Sequence, residues 1–334
     1  MTAASIAQTL GQRRAGHARW AAGLTAAACA LGLALPAPGL TFQVVVTLVA
    51  VAILGFPHGA LDPLIAALRP RAGEGGLAGT AAFLVAYLAA AGAVVALWLV
   101  SPIAGLALFL ATSAVHFGLG DVPPATDATS RRTRSLRVLA HGSAPIVLPS
   151  ALHPGGVGLV FGWLLGAPEA AVTAWLTNLA PILVGAWALA ALAAYAPALR
   201  RSRVPDTEAR SGALELGLLA IAFAVLPPLL SFSVYFCVWH SARHLIAVDT
   251  VLGRGLRARA AVVGLAVLAA TGLLVLGAHA AGDGAAVQGA GGAMASATRT
   301  LFIALAALTP PHMMVTAVLE RRVAADARRA PRVA

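Results

Sequence analysis

Ten apolar runs of roughly membrane-crossing length follow one another along this chain, and they leave no room for a water-soluble core. They lie near residues 20–36, 41–67, 77–100, 103–120, 138–166, 172–196, 212–229, 230–251, 260–281 and 298–319, and a crossing helix needs about 20 residues. Of the 334 residues, 60% are hydrophobic and only 10% charged, against about 25% charged in a soluble domain. Lipid offers backbone amides no partner, so a crossing segment must bond its own N–H and C=O groups. The runs therefore predict an all-α fold, a polytopic transmembrane bundle of eight to ten helices.

Charge sets the orientation. The formal net charge is +11, and all 23 basic side chains are arginine. They cluster at 13–19, 69–71, 131–137, 200–210, 254–259 and 321–332, with two apolar runs between consecutive clusters. The opposite connections, around 37–40, 101–102, 167–171, 227–230 and 282–297, carry almost none. Arginine-rich loops stay on the cytoplasmic side, so both termini are expected there, in a multi-pass protein of the plasma membrane. The expected organisation is a basic cytoplasmic N-terminus (1–19), a transmembrane helical catalytic domain (20–320) and a basic cytoplasmic tail (321–334). In such a setting the charge contacts anionic lipid, not nucleic acid. The first run is read as a membrane helix and not as a cleaved leader, because many further runs follow it.

Two places weaken the count of crossings. Pro145, Pro149, Pro154, Gly155 and Gly156 interrupt the 138–166 run and predict a broken or re-entrant segment. Pro227-Pro228 predicts a kink. The stretch 282–297, rich in glycine and alanine, reads as a flexible loop. Cys29 and Cys237 lie in separate apolar runs without zinc or redox spacing, and no nucleotide-binding fingerprint is present.

The polar residues inside the runs carry the chemistry. Histidine in a membrane segment is costly and marks a functional site by default. In Val238-Trp239-His240-Ser241-Ala242-Arg243-His244-Leu245, the imidazoles at i and i+4 share a helix face and can grip one metal ion. The same pair can equally hydrogen-bond neighbouring helices, so further ligands decide. His58 stands in Phe56-Pro57-His58-Gly59-Ala60-Leu61-Asp62, with Asp62 one turn on, where a carboxylate can hold the second ring N–H of a ligating histidine. Gly59 leaves room for a packed helix or a cofactor. His116 stands in Val115-His116-Phe117-Gly118-Leu119-Gly120-Asp121. At 1.5 Å per residue the four histidines differ in depth by roughly 10 Å or less, so they can converge in the cytoplasmic half of a bundle.

Imidazole suits zinc, copper, iron or nickel. Asp62 and Asp121 can balance the charge from behind the ligands, and His141 and His312 are further residues able to support the site or line its cavity. His17, His153 and His279 fall near helix ends, where an interfacial histidine is ordinary. Phe56, Phe117, Phe232, Tyr235, Phe236 and Trp239 can wall a channel for a long conjugated substrate, or simply pack helices.

At these residues the sequence resembles the Brp/Blh family of membrane-bound beta-carotene 15,15'-dioxygenases. The likeness rests on Pro57-His58-Gly59-Ala60-Leu61-Asp62, His116-Phe117-Gly118 with Asp121, His141-Gly142 followed by Pro145, Trp239-His240-Ser241-Ala242-Arg243-His244, and Pro311-His312. It implies one iron(II), Fe(2+), held by His58, His116, His240 and His244. It also implies cleavage of the central double bond of beta-carotene by O2 into two all-trans-retinal molecules, often destined for a microbial rhodopsin. Two rivals stand beside it. A di-iron membrane desaturase or hydroxylase needs about eight clustered histidines, and only one His-x-x-x-His pair occurs here. A membrane transporter or a carotenoid-binding protein would use the same histidines structurally.

Overall fold

The computed structural model describes residues 3–59, 61–67, 77–123, 130–200, 207–252, 269 and 290–329, and among these every regular element is a helix. In chain order they are α1 (Ala3–Ala34), α2 (Leu40–Gly59), α3 (Asp62–Ala67), α4 (Leu77–Val100), α5 (Pro102–Asp121), α6 (Arg131–Leu152) and α7 (Pro154–Leu165). Then follow α8 (Glu169–Arg200), α9 (Thr207–Val225), α10 (Pro228–Ser233), a π-helical stretch Val234–Ser241, α11 (Ala242–Leu252) and α12 (Ala290–Arg329). Leu33, Val100 and Ile103 expose 75%, 85% and 73% of their surface. Exposed apolar side chains of this kind suit a surface covered by lipid.

Among the described residues, five helices are long and apolar enough to cross a membrane, or six if the bent α6–α7 pair is one span. The expected 260–281 run lies almost wholly outside the described residues. Three other runs fall short for local reasons, and in α1 the apolar part after Arg19 reaches only to Ala34. Helix α9 carries Glu208, Arg210 and Glu215, and the 228–252 segment is split into three helical pieces. The proline-rich 138–166 run is broken once, not at each proline: α6 continues through Pro145 and Pro149, and α6 and α7 meet at 108°, with Pro154 at the first turn of α7, where no N–H is needed. Pro227 likewise separates α9 from α10.

Two expectations are corrected. The glycine-rich stretch is not a loop throughout, because residues 290–297 form the first turns of α12; residues 282–289 lie outside the described set. Helix α1 also runs unbroken through residue 19, so the basic N-terminal residues and the first apolar run share one helix.

The chain divides into two compact units. The first comprises Met1–Ala18, Ala50–Leu106 and Ser241–Ala334, and the second Arg19–Val49 and Ala107–His240. In the first unit, Ile65, Tyr87, Val248 and Val315 from α3, α4, α11 and α12 form a buried cluster. Arg13 bonds Asp249 at 2.8 Å and Thr250 at 2.9 Å.

In the second unit, α5 and α6 are in backbone contact. A Cβ on Gly118 would stand 2.1 Å from the Val138 carbonyl oxygen, and one on Gly142 would stand 1.8 Å from that of Ala114. Apolar side chains gain nothing by leaving lipid for protein, so close packing and hydrogen bonds must hold such helices together. The glycines permit that packing. Trp239 donates to Thr25 at 2.8 Å, and Thr47 donates to the Leu229 carbonyl at 3.1 Å, each a buried polar link between α1 or α2 and the 228–241 segment.

Candidate metal centre

Two of the histidine-bearing motifs adjoin π-helical turns. Val51–Gly55 is π-helical immediately before Pro57-His58, and the Val234–Ser241 stretch ends at His240-Ser241. Such turns recur at functional sites because the i→i+5 pattern re-aims side chains and frees backbone groups. His240 thus stands near the end of a π stretch, while His244 lies in α11.

In the second unit, His116 and His240 face each other. Their Nε2 atoms are 2.9 Å apart, and the two rings are 7% and 2% exposed. That separation suits a hydrogen bond between the rings. It also suits a shared ion: nitrogens bound at about 2.1 Å and at right angles lie about 3.0 Å apart, against about 3.4 Å in a tetrahedron. Asp121 Oδ1 is 3.7 Å from the His240 Nδ1, and Tyr235 donates to Asp121 Oδ2 at 2.6 Å. A carboxylate on the Nδ1 side favours the tautomer whose Nε2 lone pair is available to a metal.

Space for this ring comes from Gly120, where a Cβ would stand 3.0 Å from the His240 Cε1. Phe117 packs edge-on against His240 with centroids 4.8 Å apart, and Phe236 lies parallel to it at 6.1 Å. These rings exclude water. Trp239 does not join them, since its indole bonds Thr25 in the core. The side chain of Phe56 lies outside the described set.

In the first unit, the rings of His58, His244 and His312 form a triangle. Centroid separations are 5.6 Å for His58–His244, 4.9 Å for His58–His312 and 5.0 Å for His244–His312. Asp62, His244 and His312 each offer a ligand atom, all within 4.8 Å of one another. The His58 Nδ1 donates to the Gly55 carbonyl, and the Ser241 hydroxyl lies 3.2 Å from it. In that tautomer the lone pair sits on Nε2.

Asp62 is therefore not the carboxylate behind the His58 Nδ1. Helix α2 ends at Gly59 and α3 starts at Asp62, which breaks the expected i+4 register. Instead the Asp62 carboxylate accepts from His312 Nδ1 at 2.7 and 2.9 Å and from the Tyr87 hydroxyl at 2.8 Å. Gly59 is not at a helix crossing either, because a Cβ there would meet nothing within 4 Å.

His141 lies outside both groups. Its Nε2 is 2.6 Å from the Tyr195 hydroxyl, its Nδ1 is 3.9 Å from Glu215, and the Arg137 guanidinium sits 5.2 Å from the Tyr195 ring centroid. This cluster ties α6, α8 and α9 together. Sequence reasoning missed Tyr87, Tyr195 and Glu215, which lie far along the chain from their partners. The only signal for them was a polar group inside a helix of an apolar bundle.

Buried imidazoles backed by carboxylates are a donor set that can hold a transition metal. The sequence model of the beta-carotene 15,15'-dioxygenase family matches residues 49–320, more than half of the chain. The chain belongs to this family. The matched span contains His58, His116, His240, His244 and His312. Among relatives of the dioxygenase family, the probable beta-carotene 15,15'-dioxygenase Blh of Halobacterium salinarum is 33% identical over 222 residues, covering 62% of this chain and 63% of its own length. The beta-carotene 15,15'-dioxygenase of the uncultured marine bacterium 66A03 is 30% identical over 267 residues, covering 79% of this chain and 90% of its own. The match thus spans just under two thirds of the first relative and most of the second. No solved structure matches the chain.

Proposed function

We propose that this protein cleaves beta-carotene with O2 at the central 15,15' double bond, giving two molecules of all-trans-retinal, and that His58, His116, His240 and His244 hold one iron(II) for the reaction. The observation that carries this reading is the buried His116–His240 pair, with Nε2 atoms 2.9 Å apart and Asp121 behind His240. The names of both relatives support the substrate. Bound iron(II) would supply the electron-transfer chemistry that lets triplet O2 react with a closed-shell alkene. The chain's own residues do the rest. The Asp121 carboxylate, fixed by Tyr235, lies on the Nδ1 side of His240 and favours the tautomer with its proton there, Gly120 admits the ring, and Phe117 and Phe236 keep the surroundings dry. The alkene and O2 between them supply all the atoms and electrons of two aldehydes, so no nicotinamide or flavin is needed.

The test is purified protein, beta-carotene and 18O2, with rapid trapping because aldehyde oxygens exchange with water. Retinal labelled in both halves is expected. Full metal loading with no aldehyde from any carotenoid tried would favour the carotenoid-binding or transport reading, and label in only one half would indicate a monooxygenase. The retinal product suits a microbial rhodopsin as its acceptor.

The arginine clusters place both termini on the cytoplasmic side of the plasma membrane in this reading. Ala170 lies in the first turn of α8 and Ser211 near the start of α9, on opposite sides of the membrane in this reading, and both are exposed. In intact cells Ala170→Cys should react with an impermeant thiol reagent and Ser211→Cys should not. The reverse pattern would invert the proposed topology.

A further inference from the structure

The geometry points to His312 as an additional imidazole ligand of the metal, with Asp62 and Tyr87 as its positioning residues; this rests on the proposed metal site. His312 comes from α12, remote in sequence from both other rings, yet its ring stands 4.9 Å from that of His58 and 5.0 Å from that of His244. All three rings meet at steep angles, 70° to 84°. Imidazoles converging on one ion point nitrogens inward from different helices, whereas rings packed for dispersion alone have no need of matched carboxylates.

The carboxylate is the second observation. Asp62 is 1% exposed, and a charge buried that deeply needs strong donors. It receives the His312 Nδ1 at both oxygens, 2.7 and 2.9 Å away, and the Tyr87 hydroxyl at 2.8 Å. With Nδ1–H donated to a carboxylate, the lone pair of a neutral imidazole is on Nε2, and the ring becomes a stronger donor to a metal. In the second unit Tyr235 likewise donates to Asp121, but the Asp121 carboxylate only stands near the His240 Nδ1, 3.7 Å away.

Packing explains how α12 delivers the ring. Pro310 and Pro311 remove two helical N–H groups just before His312, Thr309 donates to the Leu305 carbonyl at 2.7 Å, and Val315 anchors the next turn in the Ile65–Tyr87–Val248 cluster. A hydrocarbon substrate has no donor atom and claims no coordination position, so an extra imidazole does not compete with it.

The experiment is metal binding by the purified full-length chain, read as cobalt(II) affinity and visible spectrum and as iron content, alongside the melting temperature without metal. His312→Ala and His312→Gln should lose metal affinity and change the cobalt spectrum, and added imidazole should restore both to His312→Ala. Asp62→Asn and Tyr87→Phe should bind about 10–100-fold and several-fold more weakly, respectively. If His58→Ala loses the metal while both His312 variants keep the affinity and spectrum of the unsubstituted chain, this inference is overturned and the proposed function stands. If the unsubstituted chain binds no metal, both fail. A His312 variant that melts lower without metal yet binds cobalt normally would show a structural hydrogen bond only, which also overturns it.

Discussion

Retinal formation should fall below detection in His240→Ala and in His116→Ala, with metal content lost in parallel. Each replacement removes one member of the 2.9 Å Nε2 pair and leaves the other ring facing a methyl group. Asp121→Asn should behave differently. It keeps both imidazoles and weakens only the hold on the His240 Nδ1 side, 3.7 Å away, so activity and metal affinity should drop about 10–100-fold without vanishing. Retinal measured by chromatography from carotene-producing cells, with metal analysis of the purified variants, ranks the three. Wild-type turnover in His240→Ala would remove the pair from the chemistry and leave it as an interhelical hydrogen bond.

Gly142→Ala should be among the most damaging single changes outside the histidines. Its new Cβ would stand 1.8 Å from the Ala114 carbonyl oxygen and 2.7 Å from the Gly118 nitrogen. Both are backbone atoms of α5, which no rotamer change can move. The two helices must separate, and overpacking of this kind costs about 3 kcal/mol or more. Because α5 also carries His116, Phe117 and Gly120, activity should fall with stability. Gly185→Ala in α8 is the control: nothing lies within 4 Å of its new methyl, so it should be neutral or stabilising by up to about 1 kcal/mol through helix propensity. Melting temperature in detergent and the yield of folded protein measure both. Equal stability of the two variants would contradict the α5–α6 approach.

The positions of the glycines were readable from sequence, but their partners were not. Gly59 was the glycine read as room for a packed helix or a cofactor, yet among the described residues a Cβ there would meet nothing within 4 Å, and it is Gly118 and Gly142, given no such reading, that stand at a helix crossing. The choice depends on which helices cross at that height, and crossing geometry is set by the whole bundle and not by any local spacing.

What the sequence by itself determined was the helical membrane class, the breaks at Pro154 and Pro227, and the burial of His58, His116, His141, His240 and His312, though His17, read as interfacial, is buried too. Each follows from a local cost: unbonded amides in lipid, a missing N–H at proline, an imidazole in hydrocarbon. What only the tertiary structure decided was how those histidines are held. The π turns before His58 and through His240 leave no periodic mark in so apolar a chain, and the i,i+4 rule misjudged the partner of Asp62. That carboxylate is taken by His312, 250 positions away, and by Tyr87, 25 away. A hydrogen bond between helices depends on where the chain returns, and side-chain chemistry shows only that a buried carboxylate must find a donor somewhere.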